Sequence, residues 1–127
     1  MNHEAERVPG IGVTYKVLWY ETARGDKPAE EFVQGLDEDT QARFIVYVEM
    51  LGEHGPNLKR PYADIVRGKI RELRPRRARV LYFFAVGHRV ILTNGVLKQR
   101  DDLDPKDIDL AESRMNDWLR RNGGGRR

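Results

Sequence analysis

The chain has 127 residues, of which 39% are hydrophobic and 34% are charged, with a formal net charge of +3 at pH 7 and no cysteine. This length predicts one domain, and the lack of cysteine excludes disulfides and cysteine-based metal sites. No apolar run approaches the ~20 residues that a membrane span needs, so we expect a protein that does not enter a membrane and resides in the cytoplasm.

The composition divides the chain into three segments. Residues 1–12 carry acids, Pro and Gly without the apolar core of a signal peptide, which predicts a flexible lead-in. Residues 13–121 are expected to form the single domain. Residues 122–127 read NGGGRR, which is typical of a disordered tail.

The first half of the domain predicts one strand and two helices. Residues 13–20 (VTYKVLWY) are β-branched and aromatic, as expected of a strand. Asp26 as the cap and Pro28 in the first turn predict a short helix. Apolar residues at helical spacing predict a second helix from residues 37–40 to Gly55. The two helices are expected to form a hairpin that covers one face of a sheet.

The second half predicts three strands and a closing helix. Residues 58–67 are expected to be a loop. The strands are predicted at residues 69–74, 79–85 and 90–98. Gly95 inside the last strand indicates a bulge or a close backbone approach, and Asp104 followed by Pro105 is a strong helix start. The order β-α-α-β-β-β-α predicts an α+β fold. Its antiparallel sheet would have about four strands and would be mixed if the first strand runs parallel.

Positive charge is concentrated in the middle of the chain. Residues 59–100 contain 12 Lys and Arg against 2 acids, whereas residues 1–58 contain 5 bases and 11 acids. A local excess of this size is the electrostatic footprint of a site for a polyanion. Because the same residues are the most strand-like in the chain, the charge is expected on a rigid platform.

Some of these cations are candidates for one phosphate site. Lys69 and Arg71 are expected on one face of their strand. Arg79 begins the next strand, close to where Lys98 ends the last one, if the strands form an antiparallel meander. Cations that converge in this way would bind a phosphate and stabilise charge that develops on it. The alternative is that each is an ordinary solvated residue of a strand face.

Other residues of the segment also have two interpretations. Arg76 and Arg77 are typical turn residues, and Arg74 is placed to form a salt bridge at the edge of the core. Tyr62 and Tyr82 are candidates for stacking on a base, although core packing is the favoured role for Tyr82. The three histidines lie without ligand spacing, so no metal or other cofactor is expected.

Residues 58–119 resemble the RelE/HigB toxin superfamily, in particular its phage-derived, HigB-like branch. The matching pieces are Leu58–Arg60, Arg67–Arg74, Arg79–Phe84, Asn94–Arg100 and the closing helix with Ala111, Glu112 and Arg114. The first strand and the helical hairpin agree in order and length, which extends the resemblance to about residues 13–120. The resemblance implies a RelE-like α+β fold.

The resemblance also implies a function. Such proteins are toxins of type II toxin–antitoxin systems that cleave mRNA in the ribosomal A site without a metal. The RNA 2′-OH attacks the adjacent phosphate and leaves a 2′,3′-cyclic phosphate and a 5′-OH. The implied partners are the mRNA and a cognate antitoxin, often of helix-turn-helix type, held in a hetero-oligomer.

By position, the resemblance implies two sets of site residues. The catalytic set is Lys69, Arg71, Arg79 and Lys98. The RNA-binding set is Lys59, Arg60, Arg74, Arg76, Arg77 and Arg100. Arg79 would stabilise the phosphate, and Lys98 or Lys69 would act as acid or base if neighbouring cations lower its pKa. The chain lacks the histidine of the last strand and the tyrosine of the closing helix that transfer protons in many such toxins, so the acid and the base stay unassigned.

Two other functions remain open on the same fold. A gyrase-poisoning, ParE-like toxin would act by binding a protein and would not need converging catalytic cations. A non-catalytic nucleic-acid-binding module would use the same cations only to bind phosphates.

Overall fold

The structure is a computed structural model that describes residues 14–123. The predicted lead-in at residues 1–12 and residues 124–127 of the predicted tail lie outside this range. The elements are β1 (Lys16–Trp19), α1 (Pro28–Gln34), α2 (Glu38–His54), β2 (Ala63–Arg67), β3 (Ile70–Leu73), β4 (Ala78–Ala85), β5 (Arg89–Leu97) and α3 (Pro105–Asn122). None of the helices in residues 14–123 has the length and hydropathy needed to cross a membrane.

The five strands form one mixed sheet in the order β1-β5-β4-β3-β2. β1 runs parallel to β5, and the other neighbours are antiparallel. The predicted α+β fold is confirmed, and the sheet is the mixed one of the two alternatives, with five strands where about four were predicted. The prediction of a loop over residues 58–67 is wrong for Ala63–Arg67, which forms β2 at the sheet edge. The sequence Ala-Asp-Ile-Val-Arg does not alternate between apolar and polar residues, so it did not indicate a strand. Ile65 is 60% exposed, and pairing with the backbone of β3 holds the strand in the sheet.

The sheet separates two hydrophobic layers. On one face, Val80 and Tyr82 of β4 pack with Phe44 and Leu51 of α2. On the other face, the alternate residues of β4, with Ala111 and Trp118 of α3, form the second layer. β4 is therefore buried on both sides, as its nearly continuous apolar sequence predicts.

Both long helices begin at an aspartate. The Asp37 carboxylate accepts a hydrogen bond from the Thr40 backbone N–H at the start of α2, and Asp104 does the same for Lys106 at the start of α3. The predicted capping role of Asp26 is wrong, because the N-cap of α1 is Lys27 and makes no side-chain cap bond. α3 includes Asn122, the first residue of the predicted tail, and ends at a left-handed Gly123.

Gly95 lies where α1 approaches the sheet most closely. A Cβ atom at this position would be 2.1 Å from a ring carbon of Phe32, which confirms the predicted close approach. The register irregularity of β5 lies nearby, where Leu81 faces Asn94 and Tyr82 faces Leu92, so that Thr93 is the extra residue. The missing side chain of Gly95 therefore lets α1 dock on β5.

Replacing Gly95 with Ala should destabilise the fold by about 1–3 kcal/mol or more, because the Phe32 ring would have to move out of a packed layer. Gly35→Ala is the matched control, since the nearest atom to its Cβ would be 3.6 Å away and its φ is −87°. That variant should stay within about 1 kcal/mol of the native protein. Urea unfolding measures both, and equal midpoints would contradict the docking role of Gly95.

Candidate functional site

A group of three exposed cations and one half-buried cation, Lys98, lies at one end of the sheet. The turn between β3 and β4 carries Arg76 and Arg77, and the chain leaving β5 carries Lys98 and Arg100. The two segments are joined because the Lys98 N–H donates to the Arg77 carbonyl at 2.8 Å and Arg77 Nη2 donates back to the Lys98 carbonyl at 3.3 Å. We call these four residues the basic edge. Within residues 14–123, none of the four forms an ion pair.

The basic edge borders an open groove of about 750 Å³ that extends from the end of β5 to the start of α3. Its charged lining consists of two cations, Lys98 and Arg100, and four aspartates, Asp101, Asp102, Asp104 and Asp107. The carboxylates repel a phosphate, so the cationic side of the groove is the one suited to an anion.

Arg79 lies directly behind the basic edge and supports it. The residue is only 6% exposed, and its Nη1 donates to the carbonyls of Arg76 and Ala78, both at 2.8 Å. Arg76 has a φ of +57°, which is uncommon for a residue with a side chain. The buried guanidinium therefore holds the turn in the conformation that presents Arg76 and Arg77.

Glu72 is the counter-charge of this buried arginine. Its side chain is 8% exposed, one carboxylate oxygen accepts from Arg74 Nη1, and the other lies 3.8 Å from Arg79 Nε. The predicted salt bridge of Arg74 is thus confirmed. Burial lowers the pKa of the Arg79 guanidinium and the nearby Arg74 charge lowers it further, while Glu72 opposes both effects.

Two members of the predicted catalytic set lie elsewhere. Lys69 precedes β3, in an exposed turn at the strand end far from the basic edge. Arg71 is on the opposite sheet face from Glu72, where its guanidinium lies 5.2 Å from the centre of the Phe84 ring and donates to the Pro56 carbonyl. The expected convergence of all four cations is therefore not found. Only Arg79 and Lys98 lie at the same end of the sheet, and Arg79 is buried.

The predicted RNA-binding cations are divided between exposed and paired positions. Arg60 is bound to Asp64 at 2.8 Å, and Arg74 is bound to Glu72. Lys59 is exposed in the segment before β2. Arg76, Arg77 and Arg100 belong to the basic edge.

Tyr82 has the core role that was favoured for it. Its side chain is fully buried, its hydroxyl has no partner within residues 14–123, and burial raises its pKa to about 12. The Tyr82 ring is therefore not accessible for stacking on an RNA base. Tyr62 is partly exposed and packs edge-on against Tyr47, with ring centres 5.2 Å apart.

The sequence analysis missed Arg43 and Tyr47, which lie beside the basic edge. They are four residues apart on α2, hence on one face of the helix, and together with Arg76 they line a groove. The i, i+4 pairing of a cation and an aromatic residue was the available signal. It was hidden because α2 was interpreted only as a core helix.

Within residues 14–123 there is no cluster of three His, Cys, Asp or Glu that could hold a metal ion.

The basic edge can bind a phosphate and stabilise negative charge through charge-assisted hydrogen bonds. Its three arginines cannot give up a proton, whereas a lysine ammonium can. Lys98 is therefore the member of the edge that is chemically able to transfer a proton.

The family comparison identifies the family of the chain. The chain matches the family described as phage derived protein Gp49-like (DUF891) over residues 31–116. It therefore belongs to this family, which is a RelE-like toxin family. The family and the fold together point to a toxin of a toxin–antitoxin system.

The structural comparison agrees on the fold. The chain is similar to a chain of the archaeal RelE–RelB complex from Pyrococcus horikoshii OT3, with a TM-score of 0.54 and 17% sequence identity. The similar region covers 68% of this chain and 98% of the other. A comparison with curated proteins finds no match.

Arg79→Ala should destabilise the fold by about 3 kcal/mol, because it leaves two carbonyls without their donor and Glu72 without one of its counter-charges. Arg77→Ala is the matched control, since this exposed side chain should contribute within about 0.5 kcal/mol. Chemical unfolding of both variants measures the difference. An Arg79 variant as stable as the Arg77 variant would show that the turn does not depend on the buried guanidinium.

Proposed function

We propose that the protein is a toxin that cleaves mRNA on the ribosome. The observation that carries the proposal is the basic edge, where four cations without acidic partners in residues 14–123 are presented by two hydrogen-bonded segments at the end of a rigid sheet. Membership of a RelE-like toxin family supports the toxin role, and the edge supports an RNA phosphate as its ligand.

The proposed reaction takes its nucleophile from the RNA and its charge stabilisation from the edge. Lys98 supplies one of the two proton-transferring groups, and a water molecule supplies the other. The 2′-oxygen attacks the adjacent phosphorus, its proton passes to a base, and the bond from phosphorus to the 5′-oxygen breaks as that oxygen receives a proton. The products are a 2′,3′-cyclic phosphate and a 5′-OH. Negative charge on the phosphorane rises during attack, so cations placed beforehand lower the barrier.

In this scheme the residues have different roles. Arg76 and Arg77 bind the phosphate, and Lys98 transfers a proton. Arg79 acts through the turn that it holds, as a positioning residue. Lys69 and Arg71 were predicted as catalytic, but their positions at the far end of β3 and on the other sheet face give them no role at the same phosphate.

We further propose a cognate antitoxin as the partner. The fold is shared with a protein that was solved as a RelE–RelB complex, and the family resemblance favours an antitoxin of the helix-turn-helix type in a hetero-oligomer. Because the proposed substrate lies on the ribosome, we also propose that the protein acts in the cytoplasm.

Growth arrest on induced expression, with mapping of RNA 5′ ends in the same cells, tests the proposal. New 5′-OH ends within translated codons, and none in untranslated RNA, are the expected result. The double variant Arg77→Ala/Lys98→Ala should lose these ends by at least tenfold, because it removes a phosphate ligand and the proton-transferring group.

Arg24→Ala is the control, since this exposed cation lies in the turn before α1, outside the proposed machinery. It should cleave like the native protein. Arrest without new ends would contradict the nuclease and favour a protein target such as gyrase. Absence of both arrest and cleavage would leave a non-catalytic binding module.

A further inference from the structure

A second recess opens beside the basic edge, on the side of the helical hairpin. It has a volume of about 550 Å³ and lies between α2 and the β3–β4 turn. It is lined by Asp39, Ala42, Arg43, Val46, Tyr47 and Arg76. We call it the α2 groove. Its size is within the range of pockets that hold small organic ligands, about 300–1,000 Å³.

We propose that the α2 groove binds a nucleotide of single-stranded RNA next to the phosphate at the basic edge. This inference rests on the proposed function and adds a subsite to it. Recognition of single-stranded RNA typically combines an aromatic face, on which a base stacks, with cations that follow the backbone. The groove has one aromatic residue, Tyr47, and two cations, Arg43 and Arg76.

Tyr47 is held in place before any ligand arrives. It projects from the middle of α2, and its ring meets the Tyr62 ring edge-on at an interplanar angle of 87°. The neighbouring Val46 is 50% exposed, which adds an apolar surface for a base. A fixed ring loses little conformational entropy when a base stacks on it, so the groove is suited to binding.

Arg76 connects the groove to the basic edge. It lines the α2 groove, and its neighbour Arg77 is bonded to the segment of Lys98. The bond from Arg79 to the Arg76 carbonyl holds the residue at this junction. An RNA strand with one phosphate at Arg77 would therefore continue past Arg76 toward the α2 groove.

Arg43 and Arg76 form no ion pair within residues 14–123. The acid that lines the groove is Asp39. A second carboxylate near Arg76 belongs to Asp37, and it already accepts two hydrogen bonds from Thr40. Because Asp39 opposes a polyanion, its removal should tighten RNA binding while removal of either arginine should weaken it.

The test is the affinity of the whole protein for a short fluorescent oligouridine, measured by anisotropy over a range of salt. Arg43→Ala and Arg76→Gly should each weaken binding. Each should also make the negative slope of log affinity against log salt shallower by about 0.7. Arg76→Gly is informative because glycine accepts the positive φ, so the turn is kept while the guanidinium is lost. Asp39→Asn should bind more tightly, and Arg24→Ala should bind as the native protein does.

Variants of Tyr47 test the contribution of stacking separately from that of charge. Tyr47→Leu should weaken binding roughly fivefold or more, whereas Tyr47→Phe, which keeps the ring, should bind within about twofold of the native protein. Equal affinity of the Leu and Phe variants, or unchanged affinity in Arg43→Ala, would overturn the subsite.

Failure of the subsite is distinguishable from failure of the proposed function. If Arg43→Ala and Tyr47→Leu keep native RNA affinity while induced cells still accumulate new 5′-OH ends, the nuclease stands and the groove is not its subsite. Ultraviolet cross-linking of the native protein in induced cells identifies the RNA. Cross-links from Tyr47 to mRNA or to ribosomal RNA support the subsite and name its source, and their absence overturns it.

Discussion

The presentation of the basic edge depends on one buried arginine. Arg79 spans from the Glu72 carboxylate to the carbonyls of Arg76 and Ala78, so a charge inside the protein fixes the shape of a turn outside it. A buried guanidinium is tolerated because its neighbours supply hydrogen bonds and a counter-charge. The same bonds hold Arg76 at a positive φ, at the junction of the basic edge and the α2 groove.

The cations of the central segment serve two different purposes. Arg67 of β2 is bound to Asp109 and Glu112 and so joins β2 to α3. Arg60 and Arg74 are bound to carboxylates in their own segments, those of Asp64 and Glu72. The cations of the basic edge have only carbonyl partners or solvent within residues 14–123. The number of cations in the sequence therefore overstates the positive charge that is available to RNA, because ion pairs with carboxylates neutralise some of these cations.

The candidate site was only partly predictable. The positions of Arg79 and Lys98 at one end of the sheet follow from the antiparallel order of β4 and β5, which the apolar pattern predicts. The burial of Arg79 and the separation of Arg71 onto the other face depend on strand register, since one residue of register moves a side chain across the sheet. Arg43 and Tyr47 were missed because they meet Arg76 only through the packing of α2 on the sheet.

The sequence by itself determined the element types, the α+β class and the concentration of charge, because apolar periodicity, capping residues and composition are local properties. Tertiary structure alone decided that Ala63–Arg67 becomes a strand, since its hydrogen-bond partners are supplied by β3. It also decided which cations are exposed. Burial and ion pairing arise between residues distant in the chain, as Arg67 with Glu112 shows, and no local pattern encodes them.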